Sequence, residues 1–183
     1  MREVRKMANN RSNLKRLLQK IASMVLGLTL FGLPTLCRAA NNCPWINEAT
    51  ASGILGGDSV GALTEPGAAG GQTICEFTQQ GDGFKRTLRI TVELASNPHD
   101  RLVAVEQICG VDAAPLRAIG NEAQVCAAGD RKSGMGQRVL GRVRDQVFTI
   151  TIVTTLKADP ILTNEALKAR IVTAAEQVSG NLF

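Results

Sequence analysis

The sequence predicts an α+β domain in which an antiparallel sheet is backed by helices. Residues 87–94 alternate apolar and polar side chains with a period of two, as a half-buried strand does. Residues 164–179 instead repeat apolar side chains every three or four positions, which indicates an amphipathic helix. The strand-like segments occur in hairpin-linked runs between single helices, and this order favours an antiparallel sheet over a Rossmann-type fold.

The first helix is predicted to begin after Asn47, whose side chain can accept a hydrogen bond from a free amide of the first turn, and to end at Gly56. A weak strand follows these glycine-rich residues. The next strand spans 73–78, and the sequence Gly-Asp-Gly at 81–83 then turns the chain into the strand at 87–94.

A second helix is predicted to open at Pro98, because proline is favoured at the first helical position, and to close at Gly110. We expect residues 113–123 to be irregular. Residues 124–128 form a short strand in this interpretation.

The last part of the chain predicts a hairpin and a helix. The hairpin arms are residues 138–143 and 147–155, and the helix at 164–179 is expected to stop at Gly180. The predicted order is therefore α-β-β-β-α-β-β-β-α.

The N-terminal residues 1–39 have the pattern of an export signal. Seven Lys and Arg residues and one acid precede an apolar run at 21–36. As a helix that run would span roughly 24 Å, which is short of the about 30 Å hydrocarbon core of a bilayer. Cleavage after Ala39 would leave residues 40–183 as one extracytoplasmic domain, periplasmic or secreted. Two alternatives would place it on a membrane: retention of the N-terminal segment, or lipidation of Cys37, against which the bulky Leu36 argues.

The basic character of the chain comes from the predicted signal. The whole sequence has 21 Lys and Arg, 16 Asp and Glu, and a formal net charge of +5. Residues 1–39 hold eight of the basic residues and one acid, so residues 40–183 keep thirteen basic and fifteen acidic residues, a net of −2. With 3% aromatic residues and no tyrosine, the chain also offers little surface for base stacking, and we expect no nucleic-acid partner.

Four cysteines follow the predicted signal: Cys43, Cys75, Cys109 and Cys126. An even number in an oxidising compartment predicts two disulfides, for which three pairings exist. We choose Cys43 with Cys75 and Cys109 with Cys126, because each bond would tie a helix end to a strand. Each loop closure would add about 3–4 kcal/mol of stability. The chain has one histidine and no CxxC pair, so we expect neither a metal nor a cofactor.

A stripe of arginines is the best candidate for a binding site. Its members are Arg138, Arg142 and Arg144 around the predicted hairpin, and Arg89 or Arg86 on a neighbouring strand. At a period of two, such side chains share one sheet face, and an array of guanidinium groups binds carboxylate or phosphate. The alternative is a solvated outer face on which these arginines pair with acids such as Glu93.

Residues 57–61, Gly-Asp-Ser-Val-Gly, match the G-x-S-x-G pattern of serine hydrolases. Asp82 and His99 follow in the hydrolase order of nucleophile, acid and base. That pattern requires a strand before the serine and a helix after it, whereas here a helix precedes Ser59 and a weak strand follows. A small secreted hydrolase that uses Ser59 is therefore the alternative function, and a helix end leading into a turn is the structural explanation.

Four segments carry a family resemblance: CPWINEATASGILG at 43–56, CEF at 75–77, PLRAIGNEA at 115–123 and AAEQVSGNLF at 174–183. Together with the hairpin they resemble the exported, lipoprotein-type domains of unknown function common in actinobacteria, and are similar to the LpqN-like lipoproteins with a PsbP-like α+β fold. The chain departs from that family at its leader, which lacks a good lipidation motif before Cys37. The resemblance implies binding or accessory work at the cell envelope and supplies no catalytic residues. We therefore expect a non-catalytic exported domain that binds a small anionic ligand or an envelope component.

Overall fold

The structure, a computed structural model, describes residues 42–65, 71–129 and 134–183. These residues belong to one unit that spans Ala40–Phe183. The predicted signal peptide at 1–39, including Cys37, lies outside the described residues. Within the described part, no helix is both long and apolar enough to cross a membrane.

The described residues contain three α-helices and a seven-stranded antiparallel sheet, so the predicted α+β class is confirmed. The helices are α1 (Glu48–Leu55), α2 (Pro98–Glu106) and α3 (Asn164–Leu182), and a short 3-10 helix spans Gly110–Asp112. The strands are β1 (Val60–Thr64), β2 (Gln72–Gly81), β3 (Phe84–Leu94), β4 (Ala114–Pro115), β5 (Glu122–Ala127), β6 (Met135–Val143) and β7 (Gln146–Thr154). Their order across the sheet is β1-β2-β3-β7-β6-β5-β4.

The second run of strands has four members rather than the predicted three. Ala114 and Pro115 pair with Val125 and Gln124, so part of the segment predicted to be irregular is an edge strand. Two residues are too few to show a period, which is why the sequence pattern does not reveal this strand.

Two helix ends also differ from the prediction. α2 ends at Glu106 instead of continuing to Gly110. α3 continues through Gly180 to Leu182, whose side chain is only 6% exposed. Burial of a leucine side chain is worth about 1.5–3 kcal/mol, which exceeds the roughly 1 kcal/mol that a glycine costs inside a helix.

The main core lies on one face of the sheet, here called the inner face, beneath α1 and α3. β3 and β7 contribute alternate residues, namely Leu88, Ile90, Val92, Phe148, Ile150 and Ile152. The two helices contribute apolar residues at helical spacing, namely Ala51, Ile54, Leu55, Leu167, Ile171, Ala174, Ala175 and Val178. The alternate apolar residues of the second hairpin arm, β7, thus point to the inner face.

The opposite, outer face is covered at one end by α2. Leu102 of this helix forms a second buried cluster with Leu140, Val147 and the cysteines Cys109 and Cys126. Leu140 lies two residues from Arg138 and from Arg142 on β6, so it points to the same outer face as these arginines. It is nevertheless buried, because α2 covers it. The remainder of the outer face carries polar side chains of the central strands, several of them exposed.

Both chosen disulfides are present. Cys43 is bonded to Cys75 with a Cα–Cα distance of 5.6 Å, and Cys109 to Cys126 with a Cα–Cα distance of 5.5 Å. The first bond joins the segment before α1 to the inner face of β2, and the second joins the segment after α2 to the outer face of β5. Each face of the sheet is therefore fastened to one connecting segment.

Candidate functional site

An open groove of about 530 Å³ lies on the outer face, beside the end of α2. Outward residues of β2, β3, β6 and β7 form its floor, and Ile108, two residues after α2, lines it as well. Its charged residues are Lys85, Arg89, Arg138 and Glu76, and its threonines are Thr87, Thr91, Thr149 and Thr151. The lining therefore carries three positive charges against one negative charge.

Two arginines of the predicted stripe lie in one row across this floor. Arg138 on β6 is paired in register with Thr151 on β7, and Thr151 is paired with Arg89 on β3. Neighbouring strands lie about 4.8 Å apart, so the backbones of the two arginines are roughly 10 Å apart. Both side chains rise from the same face, with a hydroxyl group between them.

The guanidinium groups of this row have weak partners within the part of the chain that the structure describes. Arg138 Nε donates to the Thr151 hydroxyl at 3.3 Å, and the described ion pairs do not include Arg138. Arg89 Nη1 lies 3.4 Å from Glu76 Oε2, and the two side chains are 52% and 37% exposed. An exposed pair of this kind contributes only about 0–1 kcal/mol, so an incoming anion can compete with it.

The threonines supply the neutral part of the groove. Each hydroxyl can donate one hydrogen bond to an oxygen of a bound group. The sequence reasoning missed Lys85, Thr149 and Thr151, although the pattern Lys85, Thr87, Arg89, Thr91 already alternates with buried residues along β3. β3 begins at Phe84, three residues before the predicted strand, so Lys85 fell outside it.

Arg142 shares the outer face but is already paired. Its Nε donates to Glu122 Oε1 at 2.9 Å, and His99 Nδ1 lies 3.0 Å from the other oxygen of this carboxylate. The guanidinium of Arg142 lowers the pKa of the Glu122 carboxyl. Glu93, which we considered as a partner for the stripe, pairs with Arg101 of α2 instead. Arg142 is thus held in an ion-pair cluster beside the groove and does not line it.

Arg144 lies in the turn between β6 and β7 and does not line the groove either. Its backbone adopts a φ of +55°, and its amide donates to Asn121 Oδ1 at 2.7 Å. The guanidinium lies over the ring of Phe183, 5.6 Å from the ring centre. The turn therefore directs this side chain to the C-terminal residue rather than to the stripe.

Arg86 points to the inner face, because it lies one residue away from the outward Lys85 and Thr87. Its Nε and Nη2 donate to the two carboxylate oxygens of Asp159, each at 2.7 Å. The side chains are 2% and 0% exposed. This pair is structural: it fastens the segment between β7 and α3 to the centre of the sheet.

Asp159 has further partners that the sequence does not reveal. It accepts hydrogen bonds from the Thr154 hydroxyl at 2.7 Å and from the amides of Ile161 and Leu162, each at 2.9 Å. Burial alone raises the pKa of this carboxyl, but the hydrogen bonds from Arg86 and these groups outweigh burial, so the pKa lies well below its ordinary value.

Ser59 is 8% exposed and lies between α1 and β1. Its hydroxyl is 3.1 Å from the hydroxyl of Ser52, which also accepts a hydrogen bond from the Ser59 amide at 2.9 Å. His99 is bonded to Glu122 on the outer face, whereas α1 packs on the inner face. Among the described residues, no hydrogen bond joins Ser59 to His99 or to Asp82.

A larger cavity of about 760 Å³ lies between β5 and the side of α3. Its apolar lining includes Leu116, Val125 and Val172, and its charged residues are Asp112, Glu165 and Lys168. Two acids and one base make this cavity a poorer place for an anion than the groove on the outer face.

In the described ranges, no group of three or more His, Cys, Asp or Glu side chains is arranged to hold a metal ion. No protein-family model, no curated protein and no solved structure matches the chain.

Proposed function

We propose that the chain is an exported, non-catalytic binding domain of the cell envelope, and that the groove on its outer face holds the anionic group of a small ligand or envelope component. In this proposal residues 1–39 are removed on export, and the domain is a relative of the LpqN-like lipoproteins with their PsbP-like fold. The observation that supports the binding site most directly is the row Arg138, Thr151, Arg89 across three neighbouring strands.

The row suits a carboxylate or phosphate group for geometric reasons. Two guanidinium groups on backbones roughly 10 Å apart can approach one small anion from both sides, and each can donate two parallel hydrogen bonds. The hydroxyl of Thr151, which lies between them, can donate one further hydrogen bond to the same anion. Because the strands are packed against a buried core, the three backbones are held in place before the ligand arrives, which lowers the entropic cost of binding.

The charge of the groove supports the same ligand class. The domain as a whole is slightly acidic after residue 39, yet the groove lining has a net charge of +2. An anion is therefore attracted to this groove. Since the groove is open to solvent, the attraction should weaken as salt shortens the Debye length, which is about 10 Å at 0.1 M.

The test is a titration of the full chain, with both disulfides formed, against inorganic phosphate and acetate at low ionic strength. Isothermal calorimetry gives the affinity, and amide chemical shifts in NMR spectra locate the site. Replacing Arg138 and Arg89 with alanine together should weaken phosphate binding about tenfold or more, because two charge-assisted hydrogen-bonding groups are lost.

Two further variants separate a specific site from a general charge effect. Arg117→Ala removes one positive charge from an exposed arginine that does not line the groove, and it should leave the affinity unchanged, whereas Arg138→Ala and Arg89→Ala should each weaken binding. Glu76→Gln should strengthen binding, because it removes the carboxylate that competes for Arg89. Equal binding by the double arginine variant and the native chain, or equal losses with Arg117→Ala, would refute the proposal.

A further inference from the structure

Lys85 adds a second positive position to the same groove. It lies on β3 four residues before Arg89, so both side chains leave the strand on the outer face. At about 3.3 Å per residue, the two backbones are roughly 13 Å apart along the strand. The Lys85 side chain is exposed, and it takes part in none of the ion pairs between described residues.

The floor between the two positions is neutral. Thr87 and Val153 face each other across β3 and β7 there, and both line the groove. The acid of the lining, Glu76, is paired in register with Arg89 rather than with Lys85. The groove thus has a cationic site at the arginine row, an uncharged stretch that presents methyl groups, and a second cationic site at Lys85.

We infer that the groove selects linear ligands with two anionic groups, phosphate or carboxylate, that are separated by an uncharged spacer. One anionic group binds at Arg89 and Arg138, and the other binds at Lys85. This inference rests on the proposed anion site and adds the specificity of that site. A ligand that engages both positions gains affinity because the second contact is intramolecular once the first has formed.

The test compares three probes on the full chain: an alkyl monophosphate, a short α,ω-alkane bisphosphate, and a long α,ω-alkane bisphosphate whose phosphates can span about 13 Å. The native protein should bind the long bisphosphate about two- to fivefold more tightly than either of the other two, which is the gain expected from one exposed ionic contact. Lys85→Ala should abolish this preference and leave monophosphate affinity within about twofold. The backbone hydrogen bonds of Lys85 with Thr155 do not need its side chain, so the variant should fold.

Lys168→Ala is the matched control, because this exposed lysine on α3 does not line the groove. Lys85→Arg should retain the preference for the long bisphosphate, since it keeps the charge. If Lys85→Ala weakens the binding of all three probes equally, Lys85 contributes only a non-specific electrostatic attraction. The inference of a second anion position then fails, while the anion site at the arginine row stands. If the native chain binds none of the three probes, the anion site and this inference both fail.

Discussion

Replacing Asp159 with asparagine should destabilise the domain far more than the same change at an exposed carboxylate. The asparagine leaves the Arg86 guanidinium, which is 2% exposed, without a charged partner. Removing one member of a buried pair costs about 3–5 kcal/mol. Asparagine retains an oxygen that can accept from the amides of Ile161 and Leu162, so we expect the lower end of this range, about 3 kcal/mol. For a domain of this size that corresponds to a fall in Tm of roughly 6–12 °C.

The measurement is urea unfolding of the full chain with the disulfides intact, which gives the free energy of unfolding. Glu76→Gln is the matched control, because it removes a carboxylate charge from an exposed pair and should cost about 0–1 kcal/mol. A double variant, Arg86→Met with Asp159→Asn, should regain part of the loss, since it leaves no unpaired charge and the asparagine oxygen still accepts from the amides of Ile161 and Leu162. If Asp159→Asn costs no more than Glu76→Gln, the buried pair does not stabilise the fold as we argue.

The same pair has a pH dependence of defined sign. The pKa of Asp159 in the folded state lies below its ordinary value of 3.8, so the carboxylate contributes its stability above about pH 4. That contribution is lost as the pH falls below about 4 towards the folded-state pKa. The difference in unfolding free energy between the native chain and Asp159→Asn should therefore shrink from pH 5 to about pH 2.5.

Two further predictions concern the second disulfide and Ser59. Replacing both Cys109 and Cys126 with alanine should lower the free energy of unfolding by about 3 kcal/mol, measured by urea unfolding, because the loop that the bond closes is released in the unfolded chain. An unchanged midpoint would contradict this. Ser59→Ala should cost about 1 kcal/mol through loss of the contact with Ser52, with any ester turnover by the full chain unaffected; turnover that disappears in this variant would favour the hydrolase hypothesis.

Much of the fold could be predicted because strand and helix periods are local properties of the chain. The alternation of residues 87–94 predicted which side chains of β3 point to the inner face. The spacing of Leu167, Ile171 and Val178 predicted which side of α3 is buried. The order of the strands in the sheet could not be predicted in this way. β3 pairs with β7, more than 50 residues later in the chain, and no local period records that pairing.

The buried ion pair of Arg86 and Asp159 could not be predicted for the same reason. Arg86 reads as one more polar residue of a strand, and Asp159 reads as a polar residue in a loop before Pro160. Only the fold brings them within 2.7 Å, and only their burial makes the contact strong.

The arginine stripe shows what a period of two can and cannot establish. It assigned Arg138 and Arg142 to one face correctly, but it does not say which side chain lies across from each of them on the next strand. In the observed register of β5 with β6, Glu122 lies opposite Arg142, whereas Cys126 lies opposite Arg138.

That register leaves Arg138 without an acid opposite it on β5. Cys126 is held by its bond to Cys109, which ties β5 to the segment that follows α2. A shift that brought an acid opposite Arg138 would also move Cys126 away from its partner. The disulfide therefore opposes a shift of β5 that would bring Glu122, the only acid of this strand, from Arg142 to Arg138.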